Sequence, residues 1–411
     1  MTRITLLTAL GALLAPVWLT LGRLRGAISD DEAKNRLGRA TVARPNGRLI
    51  WLHAASLGEL SAVRPLLSHI AQTRPDLRVL VTTNNPAALG VAAGWADLRL
   101  VLQTAPLDLG GSLRRFLDHW RPDGFINVET EIWPNRFAAL RAADVPAIYV
   151  NARLSGRTAD RIAKHGFQTL GLEHFRHFFA QSAATTAHLQ SLGVKPGRVE
   201  TTLNLKALVS LPDADAQLSA LYRRDVTVLA ASTHEGEDAP ILDAFAALQR
   251  SNPDARLILV PRHPTRSDAV KEAVRAAGMT PVQLGDTVRT PGPLDVAVED
   301  RLGFQPTLYG LAAVTFVGGS LIPGPGGHTP YEPIRAQSAV VTGPHTDNFA
   351  AEYAALLAQK ACLVADRDGL AAALSQGLAD PDVLARRAAG TLPKPAEARA
   401  LFDRMLARLG M

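Results

Sequence analysis

Arg48-Leu49-Ile50-Trp51-Leu52-His53-Ala54-Ala55-Ser56-Leu57-Gly58-Glu59 is the stretch that decides the fold class. An apolar run of strand length (Arg48 to His53) gives way to a turn of small residues, and Glu59 to Gln72 then carries helical spacing. A strand, a tight turn and a helix in that order form the repeating unit of a parallel sheet covered by helices.

The same alternation continues outward. Arg78 to Thr83, Gly124 to Glu129, Ala147 to Val150 and His177 to Gln181 read as further strands. A second set begins with Val226 to Ala231 and a helix from Glu237 to Arg250. It continues through Arg256 to Pro261, Leu294 to Val298, Val314 to Val317 and Ala339 to Thr342. Between the sets, residues 207–225 hold Leu-Pro-Asp-Ala-Asp and no strong strand signal, which reads as a linker. The expected organisation is an N-terminal segment (1–25), a first α/β domain (26–206), that linker, and a second α/β domain (226–411). Open sheets of this type bind ligands beyond the carboxyl ends of their strands, so the active site is expected in a cleft faced by both domains.

The chain has 411 residues, 47% of them hydrophobic and 20% charged, enough to bury two cores of ordinary size. A formal charge of +6 suits an acidic membrane, a phosphorylated lipid, a nucleotide or a nucleic acid alike. No aromatic-rich basic motif accompanies it, so nucleic acid is not an expected partner. The single cysteine, Cys362, excludes an internal disulfide framework and a multi-thiolate metal site. The eleven histidines show no ligand spacing, so no metal is expected. From Ile4 to Leu21 no charge interrupts an apolar run, and Arg23, Arg25, Lys34, Arg36 and Arg39 follow it. That order places the main body on the cytoplasmic side of a membrane. Leu24-Arg25-Gly26-Ala27 is a poor cleavage site for a signal peptide. A single-pass anchor and a helix lying in the interface both remain open, since Pro16 shortens the run.

Glu59 sits where a helix begins at the carboxyl edge of a sheet. Its carboxylate either complements the helix macrodipole or faces a ligand, and Ala54, Ala55, Ser56 and Gly58 leave room beside it for an incoming hydroxyl. On the second domain, Arg262 follows a strand and emerges at the sheet edge, where a guanidinium suits a nucleotide phosphate. Ser320 and Gly324 to Gly327 would let backbone amides approach an anion, with a helix expected to begin near Pro333.

The turn around Glu59 resembles the His-small-small-Ser-x-Gly-Glu turn of the Kdo transferases. Further similar segments follow in the same order, from Val128-Glu129-Thr130-Glu131-Ile132-Trp133-Pro134-Asn135 through Asn151-Ala152-Arg153-Leu154-Ser155 and Asn204-Leu205-Lys206. Ser232-Thr233-His234-Glu235-Gly236-Glu237, Pro261-Arg262-His263-Pro264, Phe316-Val317-Gly318-Gly319-Ser320 and Gly326-Gly327-His328 through Glu332 complete the series. The resemblance spans roughly residues 48 to 350 and implies a GT-B glycosyltransferase of two Rossmann-like α/β domains. It implies inverting, metal-independent transfer of Kdo, an acidic eight-carbon sugar, from CMP-Kdo to a lipid A precursor (lipid IVA) in lipopolysaccharide biosynthesis. CMP-Kdo is then a co-substrate, no cofactor is implied, and membrane lipids at the inner membrane are the remaining partners.

By the same resemblance Glu59 is the general base, and Glu129 and Lys206 assist the transition state. Glu131, two residues on, is the alternative to Glu129. The nucleotide contacts implied are Pro261, Arg262, Leu302, Gly303, Phe304, Thr329, Pro330, Tyr331 and Glu332. The sequence departs from the family at several of these positions. Thr329 replaces a side-chain amide, Phe304 stands where Gly is usually followed by Glu, and Leu203 replaces the glycine before Asn-Leu-Lys. A divergent paralogue using another acidic sugar or acceptor, and a non-catalytic lipid-binding derivative, are the competing readings.

Overall fold

The computed structural model describes residues 17–165, 171–284, 291–301 and 303–411. The chain divides into two compact units, residues 1–208 with 393–411 and residues 209–392. Each is built on a seven-stranded sheet whose neighbours all run parallel.

The first sheet contains β1 (Arg48–His53), β2 (Leu77–Thr83), β3 (Val101–Thr104), β4 (Gly124–Val128), β5 (Ala147–Ala152), β6 (Phe175–Ala180) and β7 (Val199–Thr201). Their spatial order is β3-β2-β1-β4-β5-β6-β7. The strands are apolar along their length because both faces are covered. Ile50 and Leu52 join Val79, Val81, Ile126 and Val128 beneath the helix Leu57–Thr73. Leu49 and Trp51 point the other way, to Phe116, Phe125, Phe137 and Tyr149. Order reverses between β1 and β4, and such a switch point opens a crevice at the carboxyl ends of the strands.

The second sheet contains β8 (Thr227–Thr233), β9 (Arg256–Pro261), β10 (Thr280–Gln283), β11 (Asp295–Val298), β12 (Val314–Val317), β13 (Ala339–Thr342) and β14 (Cys362–Val364). The order β10-β11-β9-β8-β12-β13-β14 puts its switch point between β8 and β12. Strand ends are crowded there. A Cβ on Gly318 would lie 2.6 Å from the Ser232 carbonyl oxygen, and one on Gly343 would lie 2.1 Å from that of Ser320.

Four strands that the alternation of the sequence does not reveal, β3, β7, β10 and β14, are the outermost strands of the two sheets. Two boundaries also differ from expectation. Leu218, on a helix at Ala216–Leu221, and Tyr222 just after it lie inside the expected linker and are buried in the core of the second unit. The helix Pro395–Leu409, expected in the second domain, packs on the first through Leu401, Phe402, Met405 and Leu406. Asp403 on that helix accepts from His69 Nε2 at 2.8 Å, and Arg404 pairs with Glu200 at 2.8 Å.

Most of the apolar run Ile4–Leu21, and with it most of the expected anchor 1–25, lies outside the described residues. Residues 17–24 are helical and leave Val17, Trp18, Leu21 and Leu24 exposed. Among the described residues no helix is long and apolar enough to cross a membrane.

Candidate functional site

Glu59 lies in the first turn of the helix Leu57–Thr73 with its side chain turned back on the turn before it. Ser56 is the N-cap, its Oγ accepting the Glu59 amide at 3.3 Å, while the Ala55 amide donates to Glu59 Oε2 at 2.7 Å. This reciprocal arrangement is a variant of the Ser-x-x-Glu capping box. The macrodipole reading and the ligand-facing reading are therefore compatible. The carboxylate is 9% exposed. Burial, then the neighbouring Glu129 carboxylate, raises its pKa to about 8, with Glu131 adding to the rise and the Ala55 hydrogen bond and Lys206 opposing it.

Glu129 stands one residue past β4, across the switch point from β1. Its φ is +55°, a left-handed conformation costly for a residue with a long side chain. Lys206 Nζ lies 2.8 Å from Glu129 Oε1, and Asn151 Nδ2 donates to the same oxygen at 3.1 Å. Glu131 is differently engaged, accepting the Trp133 indole N–H at 2.5 Å and the Asn84 amide at 3.4 Å. Its carbonyl accepts from Asn127 Nδ2 at 2.8 Å and from the Tyr149 hydroxyl. Of the two acids, only Glu129 forms an ion pair with Lys206.

Behind these carboxylates lie residues whose roles sequence reasoning missed. The Thr82 hydroxyl accepts the Trp51 indole N–H at 2.8 Å and sits 2.9 Å from His53 Nδ1. Burial, reinforced by the positive charge of Arg136, holds the His53 pKa well below the usual imidazole value, so this ring is neutral. Arg136 is itself 1% exposed and lies over the rings of Trp51 and Trp133, 5.4 and 5.5 Å from their centroids. Cation–π attraction offsets part of its desolvation, which lowers its pKa to about 10. The Trp-Pro-Asn-Arg run was the available signal, but its charge cannot be assigned to the interior without knowing which face of the helix is covered.

On the second unit, the amide of Ser320, one of those expected to approach an anion, already meets a carboxylate. The fully buried Glu237 carboxylate accepts from the amides of His234, Gly319, Ser320 and Leu321 at 2.8, 2.7, 2.9 and 2.9 Å. This carboxylate fixes the turn that follows β12, as a bound oxyanion would. Beside it His234 Nε2 lies 2.8 Å from His328 Nε2 with the rings stacked at 5.1 Å, and His263 meets His234 edge-on at 6.2 Å. One imidazole of the His234–His328 pair must donate and the other accept. Burial lowers the His234 pKa.

Pro261 ends β9, and Arg262 follows it, exposed and forming no ion pair with any described residue. Its amide donates to the Thr233 carbonyl at 2.9 Å, holding it against the end of β8. Gly303 has φ +82°, and the Phe304 ring lies 3.7 Å under the Arg301 guanidinium, itself paired with Glu299 at 2.6 Å. Leu302 lies outside the described residues. Thr329 Oγ accepts the Tyr331 amide at 3.2 Å, so this hydroxyl serves its own turn. Pro330 caps a helix running Tyr331–Arg335, which starts earlier than Pro333 and has only five residues. Glu332 is half-buried; burial and then its charge raise the pKa of the Tyr309 phenol, and at Tyr331 it adds to the larger effects of burial and Glu352.

The fold resembles that of the UDP-GlcNAc 2-epimerase from Neisseria meningitidis, with TM-score 0.60 and 12% identity over 88% of this chain and 99% of that one. The Methanocaldococcus jannaschii UDP-GlcNAc 2-epimerase gives TM-score 0.53 and 12% identity over 88% and 99%. At such identities the likeness is one of fold alone, and it is GT-B-like. Sequence similarity is more specific. Residues 31–209 match the family described as 3-deoxy-D-manno-octulosonic-acid transferase (kdotransferase). The 3-deoxy-D-manno-octulosonic acid transferase of Bordetella pertussis is 36% identical over 355 residues, 82% of each chain. That of Haemophilus influenzae is 34% identical over 320 residues, 76% of this chain and 74% of that one. A matching first unit, together with relatives aligned across both sheets, makes this chain a member of the Kdo transferase family of glycosyltransferases.

Proposed function

We propose that the protein transfers Kdo from CMP-Kdo to a hydroxyl of a lipid A precursor, lipid IVA, with inversion at the anomeric carbon. The observation that carries this reading is Glu59: a carboxylate at the carboxyl end of the first sheet, with its pKa raised to about 8 and the Glu129–Lys206 pair nearby. A general base works best when its pKa lies near the operating pH. Ionised Glu59 takes the proton of the acceptor hydroxyl as that oxygen bonds to the anomeric carbon. The bond from that carbon to the CMP phosphate oxygen breaks, and CMP leaves with the electron pair. Positive character grows on the sugar and negative charge on the phosphate. Lys206 supplies a compact positive charge for the sugar carboxylate or the phosphate, and Glu129 orients Lys206 and opposes the oxocarbenium charge.

On the donor side, exposed Arg262 is the residue for the nucleotide phosphate, and Glu332 is the acceptor for ribose hydroxyls, with Pro261, Gly303, Phe304, Thr329, Pro330 and Tyr331 forming the remaining contacts. The reaction is assigned to the cytoplasmic face of the inner membrane. The exposed Val17, Trp18, Leu21 and Leu24 beside Arg23 and Arg25 support an amphipathic contact with acidic lipid. Incubating the purified protein with CMP-Kdo and tetraacyl lipid A precursor, followed by mass spectrometry of the lipid, tests the proposal. A mass increase of one or more Kdo units is expected, and an unchanged lipid rejects it.

A further inference from the structure

Asn151 is buried at the end of β5, next to the strand that carries Glu129. Its carboxamide is used at both ends. The NH2 donates to Glu129 Oε1 at 3.1 Å, and Oδ1 accepts the amide of Leu205 at 2.9 Å. The orientation of the amide group is chemically determined, because the backbone N–H of Leu205 can only donate, so the oxygen faces it and the NH2 faces Glu129. Leu205 immediately precedes Lys206, whose own amide donates to Asn204 Oδ1 at 3.1 Å. A single side chain thus ties the Glu129 carboxylate to the turn that carries the Lys206 ammonium.

The backbone is shaped for this. Asn151 has φ +50° and Glu129 φ +55°, and the pairing of β5 with β6 is irregular between Tyr149 and Ala152. Asparagine visits the left-handed region readily, whereas glutamate does so only where its surroundings over-determine it. Residues held in this way cluster where geometry matters for function. Glu129 is restrained at the backbone by its amide on the Val150 carbonyl at 3.1 Å, and at the side chain by Asn151 and Lys206.

We propose that Asn151 is a positioning residue for the transfer reaction, setting the Glu129–Lys206 pair in the geometry that the sugar meets. The inference rests on the chemistry proposed for Glu59, Glu129 and Lys206. Of the charged groups near the pair, Glu59 feels both of its members and Glu131, and Arg153 donates its backbone amide to the Glu129 carbonyl at 3.4 Å.

Two variants separate positioning from simple support of the fold. Asn151→Asp keeps an acceptor for Leu205 and tolerates the left-handed backbone, but it replaces a donor to Glu129 with a second negative charge. Asn151→Gly keeps the backbone freedom and loses both hydrogen bonds. Rates of Kdo transfer by the full chain in detergent, with CMP-Kdo and tetraacyl lipid A precursor, are measured from about pH 6 to about pH 10. Asn151→Asp should lower kcat on the order of 100-fold, leave KM for CMP-Kdo within about twofold, and move the rising limb of the pH profile upward. Asn151→Gly should lower kcat by roughly tenfold or more without moving the limb upward. An Asn151→Asp enzyme with an unmoved limb, or losses in both variants that merely follow a fall in thermal midpoint, overturns the proposal. Glu59→Gln and Glu129→Gln run in parallel distinguish the two levels. If they abolish transfer while Asn151→Asp retains normal kinetics, only the role of Asn151 falls. If they retain transfer, the underlying chemistry falls with it.

Discussion

Lys206 Nζ stands 2.8 Å from Glu129 Oε1, joining the turn after β7 to the end of β4, with the two side chains 19% and 6% exposed. The pair acts on a third group. The Glu129 charge raises the Glu59 pKa and the Lys206 charge lowers it, so the ionisation of the proposed base reports on both.

The pH dependence of kcat/KM should therefore follow Glu59. As a base it works ionised, so transfer is expected to rise with pH through about 8. Glu129→Gln removes a like charge and should move that limb down by roughly one pH unit, while Lys206→Met should move it up. Residual rates measured across the pH range check both signs.

Glu59→Gln should reduce transfer by about 100-fold to 10,000-fold while leaving CMP binding intact, as read by isothermal titration. It should also stabilise the fold at alkaline pH. The unfolded carboxyl ionises near its ordinary value of 4.5 and the folded one at about 8, so the folded state holds its proton longer and stability falls as pH rises between them. Replacing the acid by a neutral amide removes that loss. A gain on the order of 1–3 kcal/mol at pH 9, and little or none near pH 4, is expected in urea unfolding.

Glu237→Ala and Arg262→Ala should separate structure from binding on the second unit. Losing the carboxylate of Glu237 strands four amides and should cost at least about 3 kcal/mol in unfolding free energy. Arg262 is exposed and forms no ion pair with a described residue, so its loss should leave the unfolding midpoint unchanged and weaken CMP binding roughly 10-fold to 100-fold.

Trp18→Asp combined with Leu24→Asp should reduce co-sedimentation with phosphatidylglycerol-containing vesicles. Both side chains are exposed, 54% and 79%, next to Arg23 and Arg25. High salt should weaken binding of the unaltered chain, since part of the attraction is between exposed charges.

The central strands were legible because a strand covered on both faces must be apolar throughout. Arg48–His53, Arg256–Pro261, Val314–Val317 and Ala339–Thr342 stand in the structure as their runs suggest. The edge strands were not. β7 and β14 have three residues each and β3 and β10 four, too short for an apolar stretch to stand out, even in Cys362-Leu363-Val364, which is apolar throughout. That the Ser320 amide is already taken was hidden for a related reason. Glu237 takes its amides from a position 82 residues earlier in the chain, a partnership that exists only because β8 and β12 are neighbours.

What the sequence by itself determined is the class of fold, the family, and the place of Glu59 at the start of a helix behind a turn of small residues, because period and turn chemistry are local properties of the chain. Tertiary structure alone decided which of Glu129 and Glu131 meets Lys206, that Asn151 spans the gap between them, and that the last helix covers the first sheet. Each of those depends on strand order, and strand order is set by packing between segments far apart in the chain.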